Sequence, residues 1–343
     1  MKFPASLSSF VCILSLTAAS SLCGAQTSYT ITDLGALSSN GYSVGRSVNA
    51  TGEVTGSAGG NNSNLSGVFL YSAGTMSSLG TLGGTSGIGN GINASGQVAG
   101  YSQNASQAYR AFLSSGTTLD DIGDLGGGSA VAYALNDLGQ VVGSAVTATG
   151  ENHPFLYSGG KMIDLGTLGS SGNNWWNSAQ GINSAGVVTG TSYDANGNFF
   201  GFVWSNGKMV KMGTLGGSWS QAYGINNKGQ VTGLAYTKSG AAHAFFANCG
   251  TCKLKDLGTI SGSNSTVWGL AINDSGVVVG QSTFAGTYHA FVFSAGKMKD
   301  LNKMIPAGSG WVLTEANGIN ASGQITGMGM HNGQEHAYLL TPQ

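Results

Sequence analysis

One phrase recurs seven times in this chain: a small or apolar pair, an asparagine, a short polar turn, a glycine, and a β-branched run closed by another glycine. It reads SVNATGEVTG at 47–56, GINASGQVAG at 91–100, ALNDLGQVVG at 134–143, GINSAGVVTG at 181–190, GINNKGQVTG at 224–233, AINDSGVVVG at 271–280 and GINASGQITG at 318–327. The asparagines (Asn49, Asn93, Asn136, Asn183, Asn226, Asn273 and Asn320) follow one another at intervals of 43, 44 or 47 residues. A unit repeated at that period buries its apolar face only by stacking on its neighbours, which directs the chain to propellers and solenoids.

Each period holds four segments of strand character, in the third AYALN (132–136), QVVGSA (140–145), HPFLYS (153–158) and KMIDLG (161–166). Glycine, 59 residues of the chain, interrupts every stretch with apolar residues at helical spacing before it reaches three turns. The turns after each Asn and at Ser-x-Gly-Lys are tight, so these pairs read as β-hairpins. The connections after the second strand (191–198) and after the fourth (214–220) read as longer, and both emerge on one face. The ends complement each other: Tyr29 to Gly35 matches a fourth strand with no third before it, and His336 to Leu340 a third with no fourth after it. Pairing them removes exposed edges. The expected fold is all-β, a seven-bladed β-propeller of four-stranded blades closed by the N-terminal strand, with a parallel solenoid as the alternative. The Asn segment is expected innermost in each blade and the Asp-Leu-Gly segment outermost.

Residues 1–25 differ from the rest. Lys2 precedes an apolar stretch from Phe10 to Ala19, and Cys23-Gly24-Ala25 offers a small-residue cleavage site before Gln26, the pattern of a secretory signal. Lipidation at Cys23 fits less well, because Leu22 stands where a small residue belongs. Residues 26–343 then form a single repeat domain, and no other segment approaches the ~20 apolar residues of a membrane span. Only 8% of residues are charged and the net charge is −1, without the basic stripe a nucleic-acid partner requires. Export to an oxidising compartment makes Cys249 and Cys252 a disulfide staple across a hairpin turn. Zinc would need two further ligands there. The expectation is a secreted monomer, extracellular or periplasmic, without cofactor or metal.

The third-strand segments His153-Pro154-Phe155, His243-Ala244-Phe245, His289-Ala290-Phe291 and His336-Ala337-Tyr338 alternate with Asp-Leu-Gly and Gly-Ile-Asn segments. In this the chain resembles the bacterial extracellular HAF repeats, named for His-Ala-Phe, over nearly the whole of 26–343. It departs from them at Gly67-Val68-Phe69, Arg110-Ala111-Phe112 and Gly201-Phe202, which lack the histidine. The resemblance implies export and a repeat fold, and carries no catalytic residues.

Function has to be sought outside the repeated positions. The Asn and the Asp of Asp33, Asp164, Asp256 and Asp300 read as turn acceptors, and the four histidines as strand-start anchors bonded to backbone. Trp175, Trp176, Trp219 and Trp311 fall in crossing loops, Trp268 starts an inner strand on the same face, and Tyr42 has the offset from its Asn that Trp176 and Trp219 have. Amphipathic rings gathered on one face suit a polysaccharide or a cell-surface protein, and these six are the candidate binding residues. No catalytic residue is assigned. The alternative is an extracellular glycosidase or lyase drawing on Glu151, Asp194, Glu315 or Glu335 at the channel mouth, which would need two carboxylates in one cleft. Asp194 to Asn198 resembles a calcium loop only faintly, lacking its Gly and distal Glu.

Overall fold

The computed structural model describes residues 28–60, 66–170, 176–249, 252–262 and 265–343. The expected signal segment 1–25 and Trp175 lie outside them. Apart from a short 3-10 turn at Leu301–Lys303, every regular element among the described residues is a β-strand.

The strands form antiparallel ladders of four. Gly126–Leu135, Val141–Thr147, Asn152–Ser158 and Lys161–Asp164 make one ladder. The same order holds from Ser178–Ile182 to Lys208–Lys211, from Gly216–Ile225 to Lys253–Asp256, and from Val267–Ile272 to Lys297–Asp300. Gly41–Val48 to Thr75–Gly80 and Gly83–Ile92 to Thr118–Asp121 are two further ladders, joined by the parallel bridge Ser66↔Ser86. In the remaining sheet Trp311–Ile319, Ile325–His331 and Gln334–Pro342 are completed by Tyr29–Asp33 from the N-terminal end, in register Tyr29↔Pro342 to Asp33↔Tyr338. The Asn segment leads each ladder and the Asp-Leu-Gly segment ends it, as the sequence indicates.

The repeated phrase has a physical reason at each position. The Asn side-chain oxygen accepts the N–H groups two and four residues on, as Asn226 does from Lys228 and Gln230 at 3.1 and 2.9 Å. Its amide reaches the neighbouring repeat: Asn49 Nδ2 donates to Asn93 O, Asn93 to Asn136, Asn136 to Asn183, Asn183 to Asn226, Asn226 to Asn273, and Asn273 to Asn320. Asn320 donates to Asn49 O. The closing glycine makes room. A Cβ at Gly233 would overlap the Gln221 carbonyl oxygen and press on the ring of Phe245, its cross-strand partner. The same holds at Gly56 with Phe69 and at Gly190 with Phe202. Those rings are fully buried, each contributing about 2–3 kcal/mol of apolar transfer.

The core lies between adjacent sheets. Val54 and Phe69 pack with Ala337 and Leu339, and Ala99 and Ala111 with Val141 and Phe155. Repeat length is set at the crossings: the three 47-residue intervals contain the stretches 165–177, 257–266 and 301–310, the longest between ladders.

Two expectations are corrected. The connection after the second strand is a tight turn, with Asn104 N–H···O Ala108 and Asp194 N–H···O Asn198 closing it at 3.0 and 2.8 Å. The strands run further than their apolar runs, so the crossings at 165–177, 257–266 and 301–310 are the long connections, and the one expected at 214–220 is only 212–215, because the next strand already starts at Gly216. Cys249 and Cys252 are free thiols. Cys252 Sγ turns to the Cys249 carbonyl oxygen at 3.6 Å, and both residues pack on the cluster of Met212, Val231 and Phe245. They act there as small apolar side chains.

Candidate functional site

The repeated histidine pairs with a side chain where the sequence suggests a backbone bond. Its partner is the Asp of the fourth strand: His153 Nδ1 lies 2.9 Å from Asp164, His243 Nδ1 2.8 Å from Asp256, and His289 Nδ1 2.9 Å from Asp300. The same Asp accepts a main-chain N–H two residues on, from Gly166, Gly258 and Asn302. In two of the three ladders without the histidine, another contact closes the strand pair. Arg110 binds Asp121 and Asp124, and Lys211 stands 4.2 Å over the ring of Phe200. These residues clamp strands together, which the spacing of two motifs in one ladder explains without a ligand.

The aromatic candidates separate. Trp176, 60% exposed, edges against Phe199 at 6.1 Å. Phe199 meets Tyr193 at 4.8 Å and Trp219 at 5.8 Å, and Trp219 lies tilted on Tyr236 at 4.3 Å. Each of these residues stands at the start of a first or third strand or the end of a second one, so all share the crossing face of two adjacent sheets. Nothing local in the sequence marks Phe199, Tyr193 and Tyr236, since their neighbours come from a different repeat or strand. The mounting of Trp176 is rigid: the next residue, Asn177, is buried, and its side-chain oxygen accepts from Tyr193 N–H at 2.9 Å and Ser192 Oγ at 3.0 Å.

Trp268 stands apart, paired with Tyr288 at 5.7 Å, and Tyr42 lines a separate hollow with Met330 and Glu335. Trp311 is a correction. It opens an inner strand, is 9% exposed, and packs in the core with Leu313, Met304 and Tyr338, stacked on His331. Trp219 likewise belongs to an inner strand and not to a crossing loop.

The inner strands surround a channel. Val48, Ile92, Leu135, Ile182, Ile225, Ile272 and Ile319, each just before its Asn, form an apolar collar. On one side of it opens a cavity of about 540 Å³ lined by Arg46, Tyr101, Tyr133, Gln180, Tyr223 and Glu315. On the other, about 340 Å³ is lined by the Asn turns. Burial pushes the Tyr133 and Tyr223 phenols up, so they face the channel as neutral hydroxyls.

The carboxylates named from sequence are mostly engaged. Asp194 accepts from the N–H groups of Asn196 and Asn198 and pairs with Lys211 at 3.4 Å, which makes it a turn cap. Glu151 lies 3.8 Å from His153. Glu315 and Glu335 do interact: burial raises the Glu335 carboxyl, the Glu315 charge raises it further, and Arg46 partly offsets both.

Where the chain ends meet, Asp33 faces two histidines, His336 Nδ1 at 3.0 Å and His331 Nδ1 at 2.7 Å. Burial works to raise the Asp33 carboxyl, but hydrogen bonds from the Gly35 N–H, His336 and His331 outweigh it and hold it below the ordinary range.

No protein-family model and no curated protein sequence matches the chain. Solved structures do match in shape. The β-propeller domain of the Trilobed protease from Pyrococcus furiosus, described as having an open velcro topology, superposes with a TM-score of 0.58 at 11% identity, over 88% of this chain and 97% of that one. A puromycin-hydrolysing peptidase from Mycobacterium tuberculosis gives 0.57 at 11% identity over 84% of this chain, which spans 49% of the peptidase. The extracellular domain of a hybrid two-component system from B. thetaiotaomicron gives 0.54 at 12% identity, over 91% and 40%. The fold is a β-propeller. Among the described residues no helix is long and apolar enough to cross a membrane.

Proposed function

We propose that this chain is an exported, non-catalytic, seven-bladed β-propeller of the HAF-repeat type that binds a neutral polysaccharide on its crossing face, with Trp176, Phe199, Trp219 and Tyr236 as the contact surface. Seven Asn-to-carbonyl hydrogen bonds, the last from Asn320 to Asn49, and the pairing of Tyr29–Asp33 with the C-terminal strand support seven blades and closure. The observation that carries the binding reading is the continuous run of rings ending in Trp176, 60% exposed on a fixed backbone. Flat amphipathic rings in a row suit the apolar faces of sugars, and a contiguous exposed run of them marks an interaction surface. The low charge of the chain favours a neutral glycan over an acidic one. The test is co-sedimentation with a panel of insoluble neutral polysaccharides. Retention by at least one, lost in Trp176→Ala/Trp219→Ala, supports the reading; retention by none, with capture of a surface protein through the same rings, replaces the glycan with a protein partner.

A second reading rests on Glu335 and Glu315: burial and the Glu315 charge raise the Glu335 carboxyl, Glu315 lining the channel and Glu335 the hollow beside Tyr42. Glycoside hydrolysis uses two carboxyl groups whose surroundings differ. Release of reducing sugar by the native protein and its loss in Glu335→Gln would favour this reading.

A further inference from the structure

We propose that Asp33, His331 and His336 form a binding site for a first-row transition-metal cation, zinc or copper in class, which staples the N-terminal strand to the last two strands of the chain. The donor atoms of the three residues all lie within 4.8 Å of one another. His331 Nδ1 is 2.7 Å and His336 Nδ1 3.0 Å from Asp33 oxygens. Donors held ~2.0–2.2 Å from one ion lie about 3–3.5 Å from each other, so an ion is accommodated by small side-chain shifts. Two imidazoles and a carboxylate suit zinc and copper better than magnesium or calcium.

The second histidine is a departure from the repeat. At His153, His243 and His289 one imidazole serves one Asp, and that suffices to clamp the strands. His331 occupies the position held elsewhere by residues that cap the hairpin after the second strand: Asn104 accepts from Ser106 and Ala108 N–H, Asp194 from Asn196 and Asn198 N–H, and Thr237 from Ala241 N–H. His331 points its Nδ1 across the sheet to Asp33, 298 residues away.

The ligand set is also held in place. Trp311 stacks on the His331 ring at 4.6 Å with an interplanar angle of 3°. The Asn332 amide meets His331 Nε2 at 3.1 Å, the kind of outer partner that fixes a metal-binding imidazole. Asp33 is pinned by the Gly35 N–H at 2.8 Å. Side-chain exposures of 25% for His331, 30% for Asp33 and 14% for His336 give an ion a way in and leave room for water as a further ligand. The proton balance closes without acid: each neutral imidazole binds through Nδ1 as its proton moves to Nε2, and at His331 the Asn332 amide, turned over, accepts it.

The test uses the protein purified without a histidine tag and titrated with zinc chloride or copper sulfate, following heat and tryptophan fluorescence. The expected result is one ion per chain, quenching of Trp311 by copper, and at least a tenfold loss of affinity in His331→Gln. His153→Gln, in a ladder with a single His–Asp pair, should bind as the native protein does. No saturable binding, native affinity in His331→Gln, or equal weakening in His153→Gln overturns the proposal. Should His331→Gln fail to fold, electron paramagnetic resonance of copper bound to the native protein decides: two nitrogen donors support the site, and none overturns it.

Discussion

Asn320 donates its side-chain amide to the main-chain oxygen of Asn49, 271 residues earlier in the chain, at 2.9 Å. The bond ties the last repeat to the first, while the Asn320 side-chain oxygen holds its own turn by accepting from Gln324 N–H at 2.9 Å. One side chain thus shapes a hairpin with its oxygen and joins two repeats with its nitrogen, which is why an aspartate cannot replace it. Asn226→Asp keeps the turn acceptor but sets a carboxylate against Asn273 O and Gln230 Oε1, both acceptors now served at 2.8 and 2.7 Å. Asn226→Asp and Asn226→Ala should each lose about 2–3 kcal/mol in urea unfolding, the cost of buried groups left without partners. Native stability in Asn226→Asp would mean that the turn alone matters.

The clamp at the head of the third strand is interchangeable between repeats. Lys211 over Phe200 stands where other ladders carry Asp and His. Phe200→His/Lys211→Asp should therefore be more stable than the sum of the two single variants predicts. A coupling of about 0.5–1 kcal/mol toward stability is expected from a double-mutant cycle, and zero or opposite coupling would contradict the equivalence.

Glu335 sets a pH dependence of known sign. Its carboxyl is raised in the folded state by burial and by Glu315, so its favourable contribution is full below the ordinary carboxylate range and is lost as pH rises through the folded value. Glu335→Gln should raise the unfolding midpoint at pH 7 and leave it unchanged near pH 3. Asp33 runs the other way. Held low by Gly35, His336 and His331 against its burial, it stabilises above the ordinary range and ceases to do so as pH falls through its folded value. Asp33→Asn should cost stability at pH 7 and little in strong acid.

The cysteines give a further test. If Cys249 and Cys252 serve as apolar packing, Cys249→Ala/Cys252→Ala should cost less than about 1 kcal/mol in non-reducing buffer, against the ~2 kcal/mol that a four-residue disulfide loop would provide. Burial pushes the Cys249 thiol up, so alkylation of that residue at neutral pH should be slow in the folded protein.

What the sequence reveals here depends on distance along the chain. The strand order, the tight Asn turns and the fit between Tyr29–Asp33 and the C-terminal strand follow from local patterns that repeat. The inter-repeat role of Asn226 does not, because its acceptor on Asn273 lies 47 residues away and contributes only a backbone oxygen. The His243–Asp256 pair joins two recognised motifs, yet the link depends on the register Phe245↔Asp256. Among the tryptophans, offset from the Asn places Trp176 and Trp219 on one face but cannot tell exposure from burial. Trp311, two residues further from its Asn, falls into the core beside Leu313. Cys249 and Cys252 have disulfide spacing, but spacing alone does not decide between a bond and two thiols, and here both remain free and pack on the neighbouring core.

The most direct test of the binding account is a fluorescence titration of the purified protein with soluble neutral oligosaccharides, run in parallel on Trp176→Ala. A saturable spectral change with at least one sugar, weakened tenfold or more in the variant while its unfolding curve stays native, is the predicted result. A flat response from the native protein across the panel, or identical titrations of the two proteins, would contradict it.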